Sequence, residues 1–510
     1  MKFPAIYYRI IKDRNIRIAV AIIIGMILTV FLWAWFTVGD LTTPQARAAF
    51  LREHPAVTRV LPIYWQIRKL TDVTYLAYAF KSDSVPNYQL EISDNNVREM
   101  DASLPEGFMG VVYTNKISVP ARFTAGNQSF DVDARYRGDN AVHWNAAKKS
   151  YQVRLQGKDS FQGLTEMNFI IPDDRYFAIE HFNNYRAGKL GLNHPVSGFA
   201  NLSVNGTEGL YFMIEGWSKE MLSKWGVPDD SLFYGEKDLE ATGGDLWADL
   251  SNWQTVVGND APEKFAPLSE LLRLLNKAGD SEFNAKIFEL VDKDNFYAWQ
   301  IHQELANSTH QAIGNVRLYF DKSKNKFFFV PWDVEIEDPR ARDNFEYYGP
   351  LAKRIFSNPE FLEEKRKRLY GYVSDEKNLE DDLAFYDRTY ESFKISLYRD
   401  RTKIYTNRFA DSVYEQRRQM IVDIFRQLKE HLESLTQRLN RAKFIQHLPE
   451  YPQLAAGMNG LINLARCNTP TERCWIYLWQ NQPCIFSDSN LSIFCRNRRP
   501  VLWLPRSFHI

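Results

Sequence analysis

Twenty-one consecutive residues near the start of the chain, Ile18 to Val38 (IAVAIIIGMILTVFLWAWFTV), contain no charged side chain. As a helix, a run of that length crosses about 30 Å of hydrocarbon. It exceeds the ~7–15 apolar residues of a signal-peptide core and has no small-x-small cleavage pattern behind it. An uncleaved transmembrane helix over 18–38 is therefore the expectation, with a signal peptide as the alternative. Lys2, Arg9, Lys12, Arg14 and Arg17 precede the run and Asp40 follows it. That bias places residues 1–17 in the cytoplasm and everything after the span outside it, as a single-pass membrane protein.

The four cysteines agree with an exported domain. All of them, Cys467, Cys474, Cys484 and Cys495, fall in the last 44 of 510 residues, with no C-x-x-C spacing. An even, clustered set in an oxidising compartment reads as one or two disulfides rather than zinc ligands, with the connectivity open. Sixty-three basic residues balance 63 acidic ones, so no global field draws the chain to nucleic acid. A hydrophobic content of 45% is ample for real cores, and the length leaves room for roughly two to four domains.

Periodicity organises the rest. In the linker or N-terminal subdomain 41–106, TTPQARAAFLREH has helical spacing and QLEISD reads as a strand. From Gly107 short alternating runs (ISVPARFTAG, QSFDVDARYRG, KSYQVRLQG) predict a twisted antiparallel sheet with one solvated face. A helix follows in DDRYFAIEHFNNYRAGKLG, then a hairpin about Asn205-Gly206, then helices over 263–310, then the hairpin NVRLYFDKSKNKFFFVPWD. Sheet, helix, hairpin, helices and hairpin make an α+β core over 107–345. Long polar helices occupy 346–447, where Val413, Met420, Ile424, Leu428, Leu432, Leu435 and Leu439 form one apolar stripe, and a cysteine-bearing tail fills 448–510.

Two stretches carry chemistry. In RYRGDNAVHWNAAKKSYQVRL, Arg137-Gly138 ends a strand and Lys148-Lys149 begin another. Glycine lets backbone approach a ligand and the adjoining cations suit phosphate, although from the residues alone a solvated hairpin loop with a Lys pair at its strand entry is the favoured reading. In the second stretch, Asn315 and Asp333 lie at the ends of neighbouring strands, so one hairpin mouth offers an amide oxygen and a carboxylate, the oxygen donors Mg²⁺ prefers. A capping Asn and a turn Asp are the plainer alternative.

The order of these blocks resembles the CotH-type kinases: Arg137-Gly138, Trp144, Lys148-Lys149-Ser150-Tyr151, Arg154-Leu155, Gly209-Leu210-Tyr211 with Glu215, Asn315, Leu318-Tyr319 with Asp321, and Pro331-Trp332-Asp333. The resemblance implies an atypical, two-lobed protein-kinase-like fold. It also implies use of ATP with Mg²⁺ or Mn²⁺ to phosphorylate a secreted or envelope protein, most naturally in a bacterial cell envelope. On it, Asp333 and Asn315 are metal ligands. Lys148, Lys149 or Arg154 supplies the cation on the nucleotide phosphates, and Glu180 orients that cation. Arg137 and Glu215 join the cofactor-binding set.

One departure stands out. Kinases place an Asp about five residues before the metal-binding Asn, as acceptor of the substrate hydroxyl proton. Here that position is His310, and Asn307 to Asn315 contains no carboxylate. His310 is thus the candidate base. The competing expectation is a catalytically degenerate pseudokinase acting as a scaffold in envelope or exopolysaccharide assembly. A glycosidase built on Asp333, Glu335, Glu337 and Asp338 is disfavoured, because acids so close in sequence seldom straddle a sugar.

Overall fold

A computed structural model describes residues 14–38, 69–104, 116–144, 148–157, 159–227, 232–235, 245–312, 314–338, 349–447, 475–478, 482–487 and 492–495. The chain divides into two compact units, Met1–Lys429 and Glu430–Ile510.

In the first unit seven strands close a barrel in the order β1-β2-β3-β4-β5-β7-β6. They are β1 Asn87–Glu91, β2 Val119–Ala125, β3 Gln128–Tyr136, β4 Tyr151–Leu155, β5 Glu166–Ile170, β6 Ser197–Val204 and β7 Thr207–Glu215. Closure replaces the half-solvated sheet expected from the alternation. The strand that closes it is β1, antiparallel to β2 on one side and parallel to β6 on the other. The β6–β7 hairpin turns where expected, with Asn205 and Gly206 at φ +48° and +83°, the left-handed pair that a two-residue turn requires. Alternate residues Val132, Ala134, Val153 and Leu155 fill the barrel with Phe123, Met167 and Phe169. Burying each large apolar side chain contributes about 1.5–3 kcal/mol.

After α1 Arg14–Val38 and α2 Asp94–Ala102, the helix α3 Ile179–Lys189 lies in the chain between β5 and β6, preceded by the tight turn Pro172–Arg175. A second antiparallel sheet follows, ordered β11-β10-β8-β9, from β8 Leu232–Tyr234, β9 Gln254–Val257, β10 Arg317–Asp321 and β11 Lys326–Val330. Helices Ala266–Lys277, Asp280–Leu290 and Lys293–Ala306 pack on it around Trp247, Phe296, Trp299 and Phe329. A small apolar cluster of Ile170, Phe212, Ile214 and Trp332 holds side chains from β5 and β7 together with the residue two beyond β11.

The helices Pro359–Ser374 and Glu376–Arg399, and the loop at Asp400 that leads to the helix Asn407–His447, are bound to this core by buried ion pairs. Arg186 meets Asp382 at 2.7 Å, Lys365 meets Glu304 at 2.5 Å and Lys148 meets Asp400 at 2.5 Å. In the second unit, strands Trp475–Leu478, Gln482–Ser487 and Ser492–Cys495 form a three-stranded sheet, in which Cys484 lies opposite Cys495 in register.

The apolar run 18–38 falls in the helix Arg14–Val38. Ile18, Ile22, Ile23, Ile24, Met26 and Leu28 are exposed there, and among the described residues no helix is long and apolar enough to cross a membrane. The helix expected over 42–54 lies outside the described residues, as do the side chains of the four cysteines.

Candidate active site

The hairpin β10–β11 brings Asn315 and Asp333 to the same end, since Arg317 pairs with Val330 in register. Both residues are left-handed, at φ +53° and +55°. Asn and Asp tolerate that region better than other side chains, at a cost that functional sites often carry. Gln311 fixes the mouth by donating to the carbonyls of Asn315 (3.1 Å) and Val330 (3.3 Å).

Asp333 reaches a buried charge cluster. Its Oδ1 pairs with Nη1 of Arg175, and its Oδ2 lies 3.6 Å from Nε2 of His310, which is about one-third exposed. Arg175 is shared further, with Asp174 at 3.0 Å and Glu180, in the first turn of α3, at 2.7 Å. Arg137 and Glu335 act electrostatically on the same groups, and Arg137 lies 5.7 Å from the Trp332 ring. Two guanidiniums thus face four carboxylates: Asp174, Glu180, Asp333 and Glu335.

That imbalance governs the protonation of the cluster. Burial raises the Asp333 carboxyl, but Arg175, His310 and Arg137 outweigh it and hold the group below its ordinary value. Arg175 cannot serve every neighbour equally. Burial lifts Glu180 despite its ion pair, and burial together with the Asp333 charge pushes Glu335 up to about 7.

The Arg-Gly loop buttresses Asp174. Burial lowers the His143 pKa to about 4, so its ring is neutral at neutral pH. Hydrogen bonds then run from the Ile171 N–H to Ser150 Oγ (3.1 Å) and from the Ser150 hydroxyl to His143 Nδ1 (3.0 Å), and His143 Nε2 faces Asp174 at 3.5 Å. Ser150 is fully buried, which rules this serine, histidine and aspartate out as a hydrolytic triad.

Gly138 makes this arrangement sterically feasible. It sits at φ +87°, and a Cβ there would lie 2.1 Å from the His143 ring. Gly138→Ala is expected to cost about 1–3 kcal/mol, seen as a lower urea midpoint; an unchanged midpoint would contradict this packing.

Not every expected site residue joins the cluster. Arg137, Glu180, His310 and Asp333 do, and Asn315 shares the hairpin mouth. Lys148 does not: its ammonium is buried against Asp400 and the Leu210 carbonyl. Lys149 pairs with Asp101 at 2.7 Å over the Tyr136 ring, and Arg154 with Glu166 at 2.7 Å. Glu215 accepts from Lys224 and the Val196 N–H. The cation paired with Glu180 is Arg175, which the motif order passes over. The clue lay in PDDR, directly after a buried strand and before the helix carrying Glu180. Glu304, five residues along from Trp299 on its helix, is sequestered by Lys365 and replaces no missing acid.

A divalent ion fits this donor set through one carboxylate plus phosphate oxygens. Among the described residues no group of three or more His, Cys, Asp or Glu is placed to hold a metal unaided. Mg²⁺ in nucleotide sites needs only one or two protein carboxylates. Asp333 Oδ1 and both Glu180 oxygens are buried without a well-oriented hydrogen-bond donor, and the carboxylates outnumber the guanidiniums by two.

The geometry is that of a kinase-like site: a helix carboxylate holding a cation that faces an acid after a buried strand. The chain belongs to the CotH kinase protein family, whose model matches residues 134–434 and so takes in most of the helical extension. No curated protein matches the chain. A solved structure described as the crystal structure of a Helicobacter pylori proinflammatory kinase, CtkA, is 12% identical and covers 56% of this chain and 95% of that one. Its TM-score is 0.24, too low to carry a structural argument.

Proposed function

We propose that the protein transfers phosphate from ATP, with Mg²⁺ or Mn²⁺, to a hydroxyl of an envelope or secreted protein. The observation that carries this reading is Arg175, buried between Glu180 on α3 and Asp333 beyond β11. Glu180 holds the guanidinium through Nε, and Asp174 and Asp333 share Nη1, so among the described residues Nη2 is the nitrogen left to donate to phosphate oxygens. Arg137 adds a second fixed positive charge beside it. Asp333, with Asn315 at the same hairpin mouth, would hold the divalent ion, which supplies charge neutralisation on the transferring group. His310 is the titratable side chain of the 307–315 loop and takes the acceptor hydroxyl proton.

In this proposal the run 18–38 also anchors the chain to a membrane with the remainder on the outer side, a reading that rests on the sequence, since no described helix is long and apolar enough to cross. Its support is those 21 uncharged residues, with the apolar side chains described there exposed rather than packed on the protein. The second reading, a scaffold that binds nucleotide without turnover, is favoured by the absence of any carboxylate from Asn307 to Asn315.

Thermal denaturation separates the two when combined with phosphate incorporation. ATP with Mg²⁺ at a hundred times its dissociation constant should stabilise the fold by about 2.7 kcal/mol. Stabilisation with incorporation supports the kinase, stabilisation without it supports the scaffold, and no stabilisation removes both.

A further inference from the structure

Asp174, Arg175, Asp333 and Glu335 of the cluster come from two irregular peptide segments, while Glu180 comes from α3 and Arg137 directly follows β3. One segment is the tight turn Pro172–Arg175 with Tyr176 and Phe177 behind it; the other is the irregular run from Asp333 to Glu337. Tyr176 and Phe177 are consecutive left-handed residues, at φ +44° and +63°, a conformation that bulky side chains resist. Something outside the cluster must hold them there.

The Asn407–His447 helix and the loop before it do so. The Arg417 guanidinium lies 3.7 Å from the centre of the Tyr176 ring, and Tyr405 meets the Phe177 ring edge-on at 5.2 Å. Arg417 Nη1 also donates to the Ile336 carbonyl, next to Glu335 and three residues beyond Asp333. Arg417 is buried, and a single side chain therefore spans the segment carrying Arg175 and the segment carrying Asp333. Cation–π contacts strengthen when desolvated, and a planar guanidinium can stack and donate at once.

We propose that Arg417 is a positioning residue for phosphate transfer, fixing Arg175 against Asp333 by stacking on Tyr176 while donating to the Ile336 carbonyl. This rests on the phosphotransfer reading of the site. Arg417 touches neither nucleotide nor reacting atoms; it sets where the groups that do so stand. Small misplacements of such groups cost rate far more than they cost binding.

The test uses the full-length chain, with steady-state ADP release, Mn²⁺ binding and thermal denaturation measured on the wild type, Arg417→Met and Arg417→Lys. Methionine keeps apolar packing but loses the stack and the donor. It should lower kcat by about tenfold or more with KM for Mg-ATP within about twofold, and lysine, which retains a cation and a donor, should recover part of the loss. Wild-type turnover in Arg417→Met overturns the proposal. So does a parallel fall of kcat, affinity and melting temperature in both variants, which marks a purely structural residue. A wild-type chain that neither releases ADP nor binds Mn²⁺ overturns the phosphotransfer reading, and this proposal with it.

Discussion

Asp333→Asn is expected to lower phosphate transfer by about 100-fold or more, because a neutral amide holds a divalent cation far more weakly than the carboxylate does, and that cation is what would neutralise charge on the transferring phosphate. The substitution keeps shape and burial. Arg175 retains Asp174 and Glu180 as partners, so its charge is not stranded and the fold should survive. The measurement is ADP release alongside the thermal midpoint. Wild-type turnover from a folded Asp333→Asn chain would remove Asp333 from the mechanism. The same variant should lose the thermal stabilisation by ATP and Mg²⁺, whereas a site that bound nucleotide without metal would keep it.

The largest loss of stability is expected from Lys148→Met. Asp400 is fully buried at its side chain; it accepts from Lys148 and the Leu210 N–H through one oxygen, and from Thr402 and the Lys403 N–H through the other. Removing the ammonium leaves a buried carboxylate short of its counter-charge, a change that typically costs about 3–5 kcal/mol. Lys148→Met with Asp400→Asn should be less damaged than Lys148→Met alone, since the second change removes the stranded charge. The acid limb carries the same sign. Burial pushes the Asp400 carboxyl up, but Lys148, Thr402 and Lys403 hold it below its ordinary 3.8. The pair's contribution is thus complete above that value and lost as pH falls through the lower folded value. A urea series on the three chains measures this. Were Lys148 a phosphate ligand, the single variant would instead keep its stability and lose affinity for ATP.

Local signals carried far. Alternation in QSFDVDARYRG and KSYQVRLQG marked β3 and β4, Asn205-Gly206 marked the β6–β7 turn, and the β10–β11 hairpin put Asn315 and Asp333 at one mouth as expected. Barrel closure was not legible, because β1 and β6 are about a hundred residues apart and pair through backbone groups that every residue possesses. The site's cation was missed for a related reason. Lys148 and Arg175 are both basic residues near a strand end, and what separates them is a carboxylate partner distant in sequence, Asp400 for one and Asp333 for the other. Spacing within a motif says nothing about such partners. His143, Ser150 and Asp174 likewise read as loop polarity until the fold brings them together, Ser150 bonded to His143 and His143 facing Asp174.

The barrel's dependence on β1 bears on how the molecule can be dissected. A fragment cut to the family-matched span would begin within β3, losing β1, β2 and most of β3 itself. Where they had been, β4 and β6 would offer unpaired amides and carbonyls to solvent, a template for strand-to-strand aggregation between copies. The smallest piece that preserves a seamless wall starts before Asn87, well upstream of the first recognisable motif residue.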